Sequence, residues 1–173
     1  MSLKTHLQYA RYVAIHKMHV GVACAKEGLY LRGLLHDWHK LLPSEWRAYM
    51  EYFYGKRSDL ERACFDLAWL RHQHRADHHW QWWLLREDEG ELKPLYMALD
   101  ARMEMICDWY GAGQAMGKGG WEHTLCWYTE NKDKMVLHPN TRAWVEKELA
   151  ERAGKELART GVLVKLLRRL RTP

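Results

Sequence analysis

The chain has 173 residues, 47% of them hydrophobic and 28% charged, with a net charge of +5. This is enough for one domain, residues 1–173, to bury its own core without disulfide staples. No apolar run approaches the roughly 20 residues that span a bilayer, and Met1 to His6 lacks the apolar stretch of a signal peptide, so the expectation is a cytoplasmic chain with no membrane partner.

Cys24, Cys64, Cys107 and Cys126 are far apart and form no CxxC pair; in apolar helical contexts they read as reduced core residues. The cations Lys165, Arg168, Arg169 and Arg171 crowd the C-terminus. There they complement a helix dipole, so nucleic acid is not an expected partner. Ten Trp interleave with eleven His. Such a mixture builds an aromatic-walled cleft as readily as a heavy core.

Leu7, Ala10, Val13, Ala14, Met18, Val20 and Ala23 recur at helical spacing and predict a long first helix over 4–26, stopped by Gly28. It carries His16. A second helix is predicted over 29–41, bearing the stretch His36-Asp37-Trp38-His39-Lys40. A His-Asp pair in a segment apolar enough to be buried is costly to desolvate, and a divalent metal offsets that cost directly. Ser44 is the expected cap of a third helix running to Tyr54. Glu45, in its first turn, either stabilises the helix dipole or acts as an acid or base beside the metal.

After the loop 55–59, a helix from Leu60 is expected to continue through Arg71-His72-Gln73-His74-Arg75-Ala76-Asp77-His78-His79. On a continuous helix His72 and His79 share a face, as do His74 and His78, and either pair could aim two imidazoles at one ion. Arg75, inside the cluster, offers a planar fork for a phosphate or carboxylate. Residues 87–93 read as a surface loop, with Pro94 opening the next helix. That helix, 95–110, sets Asp100, Glu104 and Asp108 on one face. Asp100 is expected in solvent, and Asp108, between Cys107 and Trp109, is the natural fourth ligand. Five glycines in 111–120 form a lid or a linker, and Gly117-Lys118-Gly119 lacks the Ser or Thr of a phosphate-binding P-loop. Helices follow over 121–131, 141–153 and 155–171, the last two separated at Gly154. No alternating strand pattern is present, so the fold class is all-α.

A His on one helix, a His-Asp doublet on the next and an Asp on a later helix resemble the HD-domain metal-dependent phosphohydrolase superfamily. HDWHK (36–40) is similar to its HDxxK doublet. HDWHKLLPSEW (36–46), the His-rich segment ending at Trp80, EMICDW (104–109) and LHPNTRAWVE (137–146) look like a largely phage-associated branch of it. The resemblance implies an HD-like helical bundle in which His16, His36, Asp37 and Asp108 hold a divalent transition metal, namely Mn, Fe, Co, Ni or Zn. It implies that metal-activated water attacks phosphorus in a nucleotide or other small phosphoester, with Lys40 or Arg75 stabilising the phosphoryl charge. His72, with His78 or His79, either binds a second ion or contacts phosphate and protonates the leaving group. His39 adds a ligand or occupies the surface. Trp38, Trp80 and Trp83 are candidates to stack a nucleobase. Two other classes stay open: a non-catalytic interaction module and a di-iron oxygenase. A homo-oligomer is compatible with every reading.

Overall fold

The computed structural model describes residues 2–170, with side-chain surroundings to residue 161; the cationic group from Lys165 to Arg171 lies outside those described side chains. Among the described residues the fold is an all-α bundle of seven helices with one small hairpin. The helices are α1 (Leu3–Lys26), α2 (Tyr30–Leu35), α3 (Pro43–Tyr54), α4 (Asp59–Gln73), α5 (Leu99–Ala115), α6 (Trp121–Asn131) and α7 (Pro139–Leu170). Leu84–Arg86 (β1) pairs antiparallel with Leu92–Pro94 (β2).

α1 packs on α5 and α2, while α3 packs with α4 and α6 with α7, the first pair touching α1 and the second α5. Three apolar clusters result. Tyr9, Val13, Tyr49, Met50 and Ala68 join α1 to α3 and α4. Val20, Ala23, Cys24 and Cys107 join α1 to α5. Met105, Ile106, Tyr128, Val145 and Leu149 join α5 to α6 and α7. His16 lies between Val13 and Val20 on α1, and Asp108 follows Ile106 and Cys107 on α5. The polar site therefore sits at the seam of all three clusters.

The close approach of α1 and α5 depends on a missing side chain. A Cβ on Gly111 would stand 2.4 Å from Val20 Cγ2 and 3.0 Å from the Val20 amide nitrogen. Gly111 is accordingly no part of a loop: α5 runs to Ala115, and only 116–120 of the glycine-rich stretch connects helices. Gly33 does the same for α2, where a Cβ would fall 2.8 Å from Cys24 Cβ.

Several elements depart from the sequence reading. The second helix stops at Leu35; His36 is extended, Asp37 is left-handed (φ 51°, ψ 30°), and residues 38–41 form a 3-10 turn. Asp tolerates that conformation because its side chain is short and polar. Leu42, not Ser44, occupies the N-cap of α3, and Pro43 takes the first helical position, where a missing N–H costs nothing. Ser58 and Glu61 form a capping box that starts α4 one residue earlier than expected. α4 ends at Gln73, so 72–79 is not one helix. Pro94 closes a strand, where an absent donor is tolerated, and the next helix begins only at Leu99. Gly154 does not interrupt α7: a single exposed glycine costs a helix only about 1 kcal/mol, and buried Leu149 and Ala153 dock the turn before it. Cys24 and Cys107 are buried, whereas Cys64 and Cys126 are exposed.

Candidate metal centre

His16, His36, Asp37, His72, His78, His79 and Asp108 converge from five stretches of chain. α1 presents His16, and the α5 turn before Gly111 presents Asp108; their Nε2 and Oδ1 atoms are 3.1 Å apart. On an uninterrupted helix, His36 and Asp37 would point about 100° apart. The left-handed step at Asp37 lets both turn inward, and the His36 carbonyl that the break releases accepts from the Lys17 ammonium on α1. Beyond the end of α4, the turn 74–79 folds back so that His78 and His79 reach His72, while His74 stays exposed.

Asp37 is shared. Its Oδ2 lies 3.4 Å from His36 Nε2 and 3.8 Å from His16 Nε2. Its Oδ1 lies 3.3 Å from His72 Nε2 and 3.4 Å from His78 Nε2. Two four-residue groups therefore meet at one carboxylate, His16-His36-Asp37-Asp108 and Asp37-His72-His78-His79, with the ligand atoms of each group within 4.8 Å of one another.

Buried polar atoms are ordinarily hydrogen-bonded. Here Asp37 Oδ1 and the Nε2 atoms of His72, His78 and His79 are buried and form no hydrogen bond, although they lie close together, and Asp37 Oδ2 is met by the Lys40 ammonium. Imidazole nitrogens, once deprotonated, and carboxylate oxygens gathered in this arrangement form a donor set that suits a divalent transition metal. The residues present fit such an ion, and the two groups could hold one each.

The outer ring nitrogens behave differently. His36 Nδ1–H donates to Glu104 Oε1 at 2.8 Å, and His78 Nδ1 is 3.2 Å from the same oxygen. Arg32 fixes Glu104 at 2.7 Å, reaches Asp100, and clasps Asp77 with two 2.8 Å bonds. His72 Nδ1 is 3.1 Å from Glu45 Oε2 and 3.1 Å from His39 Nδ1, His39 Nδ1 is 3.5 Å from Glu45 Oε2, and Arg75 donates to Glu45 Oε1 at 2.9 Å. These contacts orient rings already aimed inward, which is the ordinary second layer of a metal site.

Burial alone would push the His36 and His78 imidazoles down; Asp37, Asp108 and Glu104 outweigh it and lift His36 to about 9 and His78 to about 10. Burial and the neighbouring His78 and His72 hold His79 well below its ordinary value. Burial opposes ionisation of Asp37, but His36 and Lys40 overcome it and keep the carboxyl well below the usual range. Glu45, despite its burial, is brought down to about 2 by His39 and His72.

The structure places Lys40 behind the site, its Nζ 2.6 Å from Asp37 Oδ2 and 5.7 Å from the centre of the Tyr49 ring. Arg75 is half-exposed and paired to Glu45. His39 is buried rather than on the surface. The sequence reading set Glu104 on the acidic face of its helix without giving it a role and did not single out Arg32. The signal for Glu104 was its place one turn before Asp108; that for Arg32 was only its position four residues before His36.

Residues 5–151 match the model of a family described as a family of unknown function, DUF5662. No curated protein and no solved structure matches the chain. With most of its length inside that match, including every residue of the two histidine-rich groups, the chain belongs to the DUF5662 family.

Proposed function

We propose that the protein is a metal-dependent phosphohydrolase of the HD-domain type, acting in the cytoplasm on a nucleotide or other small phosphoester. The observation that carries this reading is the shared Asp37, which presents one oxygen to each of two buried histidine-rich groups. The resemblance of 36–40 to the HDxxK doublet supports it.

Divalent ions in these groups would supply Lewis acidity, making water nucleophilic near neutral pH and drawing charge from a phosphoryl oxygen. The chain's own contribution is orientation and charge. Lys40 keeps Asp37 ionised and fixes one of its oxygens. Glu104 accepts from the outer nitrogen of His36 and faces that of His78, which turns both Nε2 atoms toward the other ligand candidates. Glu45, steadied by Arg75, does the same for His72. Asp108 keeps 13% of its side chain exposed and so marks the side from which substrate arrives.

Elemental mass spectrometry on protein purified without chelator tests the reading. Between one and two metal ions per chain are expected in the wild type and none in Asp37→Ala, with phosphate released from at least one member of a phosphoester panel. A wild type that binds no more metal than Asp37→Ala after resupply with Mn, Fe, Co, Ni and Zn defeats the proposal. A mixed-valent di-iron centre that consumes dioxygen without releasing phosphate would move the site to the oxygenase class.

A further inference from the structure

Two cavities border the histidine cluster. One, of about 250 Å³, is lined by His36, Asp37 and His78 of the cluster itself, with Trp38, Arg75 and Glu104. The other, of about 350 Å³, is walled by Trp69, Trp80, Trp109 and Trp127 and touches His79 and Asp108. Asp108 belongs to one histidine-rich group and His79 to the other. Both cavities therefore border both groups, and the second differs in its four indole walls.

Its walls are held in place from behind. Trp69 stacks on His72 and stands edge-on to His79, with ring centres 5.5 Å and 5.0 Å apart. Trp109 and Trp127 are 5.4 Å apart with planes inclined by 56°. Besides His79 and Asp108, the polar side chains of the lining are Gln81, Asn131 and Lys134. Gln81 Oε1 is shut off from solvent and accepts no hydrogen bond among the described residues. Lys134, the one Lys or Arg among the described residues of the lining, donates to Asn131 Oδ1 at 2.9 Å. Flat indole faces suit a flat aromatic ring. An unpaired buried acceptor calls for an N–H donor on that ring's edge. Lys40 and Arg75 are already paired with carboxylates, which leaves Lys134 as the cation facing this space.

We propose that this cavity is the leaving-group site of the phosphohydrolase and selects nucleoside phosphoesters, the base lying among the tryptophans, Gln81 accepting from its edge and Lys134 facing the phosphate. The inference rests on the phosphohydrolase reading but has its own readout.

Adenosine and guanosine 5′-monophosphate, ribose 5-phosphate and inorganic phosphate would each be titrated into the protein as purified, following the indole N–H resonances of its ten tryptophans. Both nucleotides are expected to bind more tightly than ribose 5-phosphate and to move several indole signals. Trp127→Ala and Gln81→Leu should each weaken nucleotide binding on the order of tenfold while leaving phosphate binding unchanged. Trp127 is 37% exposed, so its truncation spares the core, and Trp127→Phe should restore binding if the alanine variant is poorly folded. Ribose 5-phosphate binding as tightly as the nucleotides, or both variants binding nucleotide like wild type, overturns the inference. Phosphate release without preference for a nucleoside ester overturns it too and leaves the hydrolase reading standing. Nucleotide bound in the cavity with no phosphate released under any metal supports the base site and defeats the hydrolase reading instead.

Discussion

Glu104 shows how much one side chain outside the ligand set decides. Its carboxylate, buried between Arg32 and the rings of His36 and His78, dictates which nitrogen of each ring faces inward. Glu104→Gln keeps the shape but replaces one acceptor oxygen by an amide donor. Metal affinity measured by chelator competition is expected to fall about 10- to 100-fold with little change in helix content. An unchanged affinity would mean that Glu104 packs without orienting. Asp37 carries a second burden, since its left-handed backbone costs on the order of 1–3 kcal/mol. Its residue type was legible in the sequence as a ligand candidate. The backbone step was not, because a periodic reading of 29–41 carries the helix of Leu34 and Leu35 on into His36, whereas α2 ends at Leu35 and both leucines remain exposed.

At the scale of elements, the approach of α1 to α5 sets the distance between His16 and Asp108. Gly111→Ala drives a methyl group into Val20 and should destabilise the protein by about 1–3 kcal/mol, with weaker metal binding as the helices part. Gly154→Ala makes the opposite prediction. Nothing lies within 4 Å of a Cβ there and α7 is continuous, so the variant should gain about 0.5–1 kcal/mol from helix propensity. Chemical denaturation of the two variants beside wild type checks both signs. If Gly111→Ala is neutral, the close crossing does not hold the site. Helices with a long apolar period, such as α1 and α6, were readable from spacing alone. The end of α4 was not, since helix-compatible residues fill 74–79 and only the burial of His78 and His79 beside His72 bends the chain there.

For the molecule as a whole, protonation and metal binding draw on the same atoms and should oppose each other. His36 at about 9 and His78 at about 10 stand above the ordinary histidine value of 6.5. In the metal-free protein their ion pairs contribute stability that is complete below pH 6.5 and is lost as pH rises through those values. Metal binding requires the same protons to leave, so affinity should rise with pH over that window. The thermal midpoint of metal-free protein is expected to drop between pH 6.5 and 9.5, while the increase produced by added metal grows. Asp37→Ala should abolish the metal-induced increase at every pH. A metal-induced shift that shrinks with rising pH would refute the linkage. Because the ligands come from α1, the break after α2, the end of α4, the turn after it and α5, one binding event should stabilise the whole bundle.

Helical periodicity and metal-capable side chains are local properties, so the all-α class, the bounds of α1, α3 and α6 to within a residue or two and the seven ligand candidates were legible in the chain alone, whereas the bounds of α4, α5 and α7 were not. The sequence also determined that none of the described helices is long and apolar enough to cross a membrane. Only the tertiary structure decided that His72, His78 and His79 meet on Asp37, that His74 does not, and that Glu104 and Glu45 serve the outer ring nitrogens. Those outcomes depend on which buried atoms find partners across 20 to 70 residues of chain, and that requirement has no local signature.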